Sequence, residues 1–472
     1  MTELRRIAII GSGVAAWMAA AWLARQLKRL GTEIICVPGG SDHTPPILAS
    51  LPSLDSFHRA LDLDQRDLMR ATSASFRLGT LHAATGGIHA YGETGAQFGT
   101  VPFHLAWRAH AASLSPASYG DFSLAARAAR TGRFYPPLED GPAGSAYSPG
   151  LHLDGPSYRN YIQRAALHYG VIPAPSLSAL PDAETGRLKF TDGSELTASL
   201  VIDTVPRLNA PAALPGFPEE VHVRYGRRAE SAPLGLAVLQ AVAGCQAIDI
   251  PMQSQIVRTL MSTSQAAAHR ASSVLRREGF DVEDGPQVHF APSFDTTPWQ
   301  GRIIRMGEAA CRLPPVEGFD LRAIQAGLET FGALLPGASS VLPERAEYNR
   351  QMRDTYQCLA DFAALAFIPP GVIPENISAS LRLLLENFTS RGRIILMDGE
   401  SMNRESWSGA LIASGWQMRR ADAHAAALPA DRVRSQLQSI SGMLAATAET
   451  LPDQRAFLRR GGFVRDQKEG VG

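Results

Sequence analysis

The chain is poor in cysteine, carries no net charge and has no long apolar run. Cys36, Cys245, Cys311 and Cys358 are scattered through 472 residues with no C-x-x-C pair. That spacing favours reduced thiols and supports neither a disulfide framework nor a metal site. Forty-five Lys and Arg cancel forty-five Asp and Glu, so nothing points to nucleic acid or an anionic membrane as a partner. No apolar stretch approaches the roughly 18 residues of a spanning helix. A strand pattern occupies the N-terminus where a signal peptide's charged and apolar regions would lie. A soluble, cytoplasmic protein is expected. His82, His89, His104 and His110 lack metal-ligand spacing and are expected as surface or core residues. No internal repeat or low-complexity tract is present.

What is there begins at the N-terminus. Ile7 to Ile10 are continuously apolar, as in a parallel strand covered on both faces, and Gly11-Ser12-Gly13-Val14-Ala15-Ala16 follows. This is G-x-G-x-x-A: Gly11 permits a tight turn, Gly13 lets a pyrophosphate approach the backbone, and Ala16 allows the helix to pack on the strand. The context of strand, turn and Ala-rich helix is the one the dinucleotide motif demands. Glu33 to Val37 reads as the second parallel strand, yet Pro38 stands where an acid would hold ribose hydroxyls. Glu33 enters that strand and reads as a solvated charge.

Further along, Ser53 is expected to cap a helix through Phe57 and Leu61, and Asp67 to Arg77 reads as an amphipathic helix. Gly79 to Thr100 and Ala128 to Gly150 read as loops, and Tyr158 to Tyr169 as a helix. Asp192-Gly193 marks a hairpin feeding the buried strand Leu200 to Asp203. Asn209 to Glu220, rich in Ala and Pro, reads as an internal boundary. Leu234 to Ala243 and Ala247 to Met261 read as strands of another sheet. Gly301 to Glu308 returns to a nucleotide-binding signature of strand, Gly307 and the acid Glu308, followed by a helix from Leu321 to Leu334. From Glu344 the chain reads as helices broken at Pro369-Pro370-Gly371 and Pro374.

These residues resemble the flavin-dependent halogenases of the tryptophan halogenase type. Gly11-Ser-Gly-Val-Ala-Ala-Trp17-Met18-Ala-Ala matches the family's G-x-G-x-A-G-W-M-A-A. Leu51-Pro52-Ser53, Ala74-Ser75-Phe76-Arg77, His152-Leu153-Asp154, Pro315-Val316-Glu317 and Tyr348-Asn349 extend the match nearly end to end. The resemblance implies an α/β fold with a Rossmann-like FAD-binding core and a discontinuous, mainly helical second module. The expected division is a first FAD-binding part at 1–215, a substrate-side sheet insertion at 216–295, a return segment at 296–343 and a helical substrate module at 344–472.

The resemblance also implies a chemistry. A separate flavin reductase supplies reduced FAD, which with oxygen and halide yields hypohalous acid. A lysine then holds or reacts with that oxidant, and a glutamate assists attack on a small, electron-rich, indole-like aromatic. Carried over by position, the catalytic residues are Arg77, in place of the lysine, and Glu317. The cofactor residues are Gly11, Gly13, Val14, Ala15, Ala16, Gly307 and Glu308, with Glu308 facing the ribityl or diphosphate region. Ile248 and Pro251 fall on the substrate side, no metal is implied, and a homodimer is a possible assembly.

Several places depart from the family. Guanidinium stays protonated and is a poor haloamine former. The family's W-x-W-x-I-P reads Gln246-Ala247-Ile248-Asp249-Ile250-Pro251, without either tryptophan. Ser-Thr-Gly after the glutamate reads Gly318-Phe319-Asp320, a glycine-glutamate flavin contact reads Ile47-Leu48, and Cys-Ser-Gly after Asp203 reads Thr204-Val205-Pro206. Three readings follow: a halogenase-like oxidase, a flavin monooxygenase that hydroxylates directly, or a catalytically degenerate binding or partner subunit. The plainer alternatives are a solvated Arg77 on its helix, Glu317 as a cap of the helix near Leu321, and Trp299, Trp407 and Trp416 as core residues.

Overall fold

The computed structural model describes residues 4–40, 44–110, 118–136, 147–206, 214–230, 232–282, 288–336, 342–396 and 401–464. Two compact units are each assembled from three segments: Met1–Ser73, Leu153–Ala213 and Phe290–Leu359 in the first, Ala74–His152, Leu214–His289 and Ala360–Gly472 in the second. The expected boundary at Asn209 to Glu220 falls partly on 207–213, outside the described residues, as do 137–146 of the expected loop before Gly150.

In the first unit, β1 (Arg6–Ile10) lies at the centre of a six-stranded sheet. The order is Trp299–Gln300, Ile303–Arg305, Leu200–Asp203, β1, β2 (Glu33–Val37) and Ile172–Pro173. β1 pairs in parallel with Leu200–Asp203 and with β2, bringing Ile10 opposite both Asp203 and Val37. Ile7, Ala8 and Ile9 are fully buried, which is why this strand reads as an unbroken apolar run. One face packs Ala8, Ile10, Ile35, Val37 and Val201 against Leu188 and Phe190 of the Asp192-Gly193 hairpin. α1 (Val14–Gln26) packs on the helices Gly155–His168 and Phe319–Ala333. Asp154 caps the former by accepting from the Ser157 N–H at 3.0 Å. Ser53 does not cap the helix Leu54–Ala60; its backbone is already helical, and its hydroxyl donates to Gln325 Oε1 (3.3 Å) on the helix Phe319–Ala333.

The second unit carries its own sheet, in the order Asp281–Val282, Val221–Ala229, Gln255–Ser262, Cys245–Pro251, Leu236–Val242, Gly79–His82 and Gly87–Ala90. The expected single strand Ala247 to Met261 is two antiparallel strands, reversed where the Met252 N–H donates to the Gln255 carbonyl. Ala243 and Gly244 both have positive φ, the geometry of a two-residue hairpin turn.

Two further segments differ from the sequence expectation. The helix foreseen over Asp67 to Arg77 is Gln65–Thr72, stopped by Ser73 at φ +49°, and Ser75–Arg77 is a strand antiparallel to Gly150–Asp154. Gly79 to Thr100 is not irregular throughout, because Gly79–His82 and Gly87–Ala90 form a hairpin whose first strand pairs in parallel with Leu236–Val242. Short glycine-started strands carry little local signal, and their pairing partner lies far along the chain.

The helices Phe103–His110 and Ala430–Thr450 enclose a cluster of Phe103, Tyr119, Phe122, Val433 and Leu437. Trp299, Trp407 and Trp416 are all buried, as expected of core residues. The helix Leu342–Ala364 ends before the proline-rich segment, and the next begins at Ala379. Among the described residues no group of three or more His, Cys, Asp or Glu could hold a metal ion, and no helix is long and apolar enough to cross a membrane.

Candidate functional site

The end of β1 and the start of α1 build one wall of a cleft in the first unit. Gly11 adopts φ +140°, and a Cβ there would fall 2.0 Å from Thr204 Oγ1, so only glycine makes this turn beside Leu200–Asp203. Its N–H donates to the Val37 carbonyl at 3.0 Å, tying the turn to β2. The first N–H groups of α1 have no intrahelical acceptors, and no acid occupies its first turn. This end therefore presents partial positive charge to an anion such as a phosphate.

The opposite wall comes from the return segment. Gly307 adopts φ +60°, and a Cβ on it would lie 2.5 Å from the Ala15 Cβ. Close contact of Gly307 with α1 thereby brings Glu308 to the cleft rim. Gly11, Gly13, Val14, Ala15, Gly307 and Glu308 all line this cleft, whose free volume is about 80 Å³. Ala16 is fully buried behind the turn, 3.2 Å from the position of a Gly11 Cβ. The arrangement brings together the expected cofactor residues through a contact between segments far apart in the chain.

The same cleft holds groups for which the motif carries no signal. Cys311 lines it, and burial pushes its thiol far up. Asp320 lines it too, its carboxyl pushed up to about 6 by burial, with the nearby Glu308 charge adding to the shift. Asp320 Oδ1 is buried with no hydrogen-bond partner. Glu308 forms an ion pair with Arg312 at 3.3 Å. Leu48, Val205 and Pro206 add apolar surface.

Arg77 belongs to the second unit and Glu317 to the first. Arg77 is neither helical nor solvated: it is 1% exposed on its strand. Its Nη2 donates to Thr80 Oγ1 at 2.8 Å, and its guanidinium sits 5.0 Å from the Tyr91 ring centre. Glu317 is 9% exposed and adopts φ +59°, a conformation that side-chain-bearing residues rarely hold without cause. It is not the helix cap; Gly318 occupies that position, and no side chain caps the helix.

Ile248 is buried within the strand Cys245–Pro251, opposite Leu239 and Thr259. Pro251 accepts from the Ser75 hydroxyl at 3.0 Å, which ties its strand to the one carrying Arg77. Where the resemblance expects tryptophans, Gln246 donates to the Ala366 carbonyl at 2.8 Å and Ile248 packs in the sheet. Asp249, next after Ile248, accepts from Arg258 at 2.5 and 2.7 Å.

A parallel sheet with a glycine turn feeding a helix, and a return segment closing on that helix, defines a dinucleotide-binding α/β protein. The family model for tryptophan halogenase matches residues 6–205 and 247–430, and the chain belongs to that family. Similar solved structures include BrvH, a flavin-dependent halogenase from Brevundimonas sp. BAL3, at 21% identity and TM-score 0.87, covering 98% of this chain and 100% of that one. Xcc4156, a flavin-dependent halogenase from Xanthomonas campestris, matches at 24% identity and TM-score 0.85 over 97% and 98% of the two chains. A tryptophan halogenase from Shewanella frigidimarina NCIMB 400 matches at 17% identity and TM-score 0.82, over 98% of each chain. A comparison with curated protein sequences finds no match.

The family implies FAD, and the residues of the first unit fit its diphosphate: a turn too close to Thr204 for any Cβ at Gly11, uncharged first-turn residues, and hydrogen-bonding groups at the rim. The end of β2 fits less well, because Pro38-Gly39-Gly40 offers no carboxylate for a ribose.

Proposed function

We propose that the first unit binds FAD and that the chain is a flavin-dependent halogenase acting on an electron-rich, indole-like aromatic. The observation that carries this reading is the closure of Gly307 onto Ala15, which joins the glycine turn and Glu308 in one cleft. Gly11 and Gly13 would receive the diphosphate on backbone N–H groups, and Glu308 would accept from a ribityl hydroxyl. Once reduced by a separate reductase, the bound flavin would use oxygen to oxidise halide.

Arg77 would hold the oxidant by hydrogen bonds rather than as a haloamine, because its guanidinium keeps its proton. No other residue supplies the missing amine among those described: the chain's three lysines are Lys28 and Lys189, both exposed, and Lys468, outside the described residues. Glu317 would take the proton that the aromatic carbon loses. Tethering by Thr80 and Tyr91 supports a fixed guanidinium rather than a mobile one. Cytoplasmic location and homodimeric assembly belong to the same proposal.

Titration with FAD at micromolar concentration, followed by flavin fluorescence, tests the cofactor. An assay with a reductase, oxygen, bromide or chloride and an indole panel then tests the chemistry by product mass. Gain of one halogen supports the reading, whereas gain of one oxygen assigns direct hydroxylation, which Gln246 and Ile248 in place of the tryptophans favour. No FAD binding overturns both. A partner subunit without catalysis is then the better reading, and co-purification of a stable partner is the result that would support it.

A further inference from the structure

We propose that Val205 is a fixed partition in the dinucleotide groove and sets how tightly the first unit holds a flavin dinucleotide. The inference rests on the reading above that FAD is the ligand. Two neighbouring clefts meet at Val205. The first is the glycine-turn cleft of about 80 Å³. The second, of about 420 Å³, lies beyond the end of β2 and is lined by Pro38, Gly40, Ser176, Ser178 and Asp203. Gly39 and Val205 line both. Only the larger lies in the range of about 300–1,000 Å³ usual for a small-molecule site.

Val205 closes the passage by direct apposition to backbone. A Cβ built on Gly39 would lie 3.3 Å from Val205 Cγ2, and one on Gly40 would lie 2.9 Å from Val205 Cγ1. The isopropyl group thus rests against the Gly39-Gly40 backbone, where any side chain would crowd it. It is also immobilised. The Val205 N–H donates to Asp203 Oδ1 at 3.1 Å. The preceding Thr204 donates to the Ile10 carbonyl twice, from its N–H at 3.0 Å and from its hydroxyl at 2.8 Å. Val205 packs on the core cluster that contains Ile10 and Val37, its branched Cβ restricts χ1, and Pro206 stiffens the chain after it. These bonds fix the backbone that carries Val205, and its branching and packing restrict rotation of the side chain.

A dinucleotide with its diphosphate on the glycine turn must pass Val205 to reach the larger cleft, whereas a mononucleotide can occupy that cleft alone. Val205 therefore opposes FAD while leaving AMP unaffected. The test measures Kd for FAD and for AMP on the full chain and on Val205→Ala, Val205→Gly and Val205→Ile, with thermal melts to confirm folding. At least tenfold tighter FAD binding in Val205→Ala or Val205→Gly, weaker binding in Val205→Ile and AMP constants within twofold of one another support the partition. FAD binding by the wild type that is unchanged in all folded variants overturns the partition and leaves the cofactor reading intact. FAD binding by none of the variants overturns both.

Discussion

Gly307 meets Ala15 so closely that a Cβ added to Gly307 would lie 2.5 Å from the Ala15 Cβ. That single approach joins a segment after residue 300 to the first turn of α1. Neither atom belongs to a flexible side chain that could move aside, and Gly307 also sits at φ +60°. Gly307→Ala is expected to cost about 1–3 kcal/mol from backbone strain and crowding together. Thermal denaturation and an FAD titration check this; a variant with the wild-type midpoint and the wild-type Kd would show that the contact does not hold the cleft.

Arg77 and Thr80 bear on the oxidant-handling step. Arg77→Lys installs an amine that can lose its proton when buried, so halogenation of an indole substrate is expected to rise. Arg77→Ala is expected to lower product by tenfold or more and to reduce stability by about 1–3 kcal/mol, because the charged hydrogen bond to Thr80 is lost. Product formation by Arg77→Ala equal to the wild type would remove Arg77 from the mechanism.

Asp320 titrates high, at about 6, because burial and Glu308 disfavour its charged form. The unfolded chain sheds this proton first, so stability is lost as pH rises from about 4 through about 6. Asp320→Asn is expected to be more stable than the wild type at pH 8 by about 1–2 kcal/mol and equal to it at pH 4, in denaturant unfolding at the two pH values. A constant difference between the proteins at both values would contradict the assignment.

His58 shows the opposite sign. Burial lowers its pKa to about 3, and its Nε2 lies 2.9 Å from the Tyr158 hydroxyl. The unfolded chain binds a proton near 6.5 and the folded one does not, so stability falls as pH drops below that value, by up to about 1.4 kcal/mol per unit. His58→Gln keeps a partner for Tyr158 and is expected to flatten this fall between pH 7 and pH 5. Melting curves of equal pH dependence in the two proteins would count against it.

How far the chain can be read without its structure depends on the range of the interactions involved. The strand, turn and helix from Arg6 to Gln26 and the hairpin at Asp192-Gly193 carry their signals in adjacent residues, so residue type and spacing mark them even though the strand's pairing partners lie elsewhere in the chain. The prolines after residue 368 end the helix Leu342–Ala364 for the same local reason. Family membership follows from motifs spread along the whole chain, and it survives the loss of individual motif residues.

Arg77 shows where that reading stops. Leu68, Ala71 and Ala74 have helical spacing, yet Ser73 turns left-handed and Arg77 pairs with Gly150 in a sheet. Strand pairing across such a separation leaves no local pattern, so only tertiary structure buries this guanidinium beside Thr80 and Tyr91. The cofactor cleft divides in the same way. The sequence by itself marked the glycine turn, because the G-x-G-x-x-A pattern after an apolar strand is local to six consecutive residues, although Thr204 and Val37 hold it in place. Tertiary structure decided that Gly307 closes on Ala15, that Asp320 and Glu308 share a cleft, and that Val205 lies against Gly39-Gly40, because each contact joins separate segments through packing that no single stretch encodes.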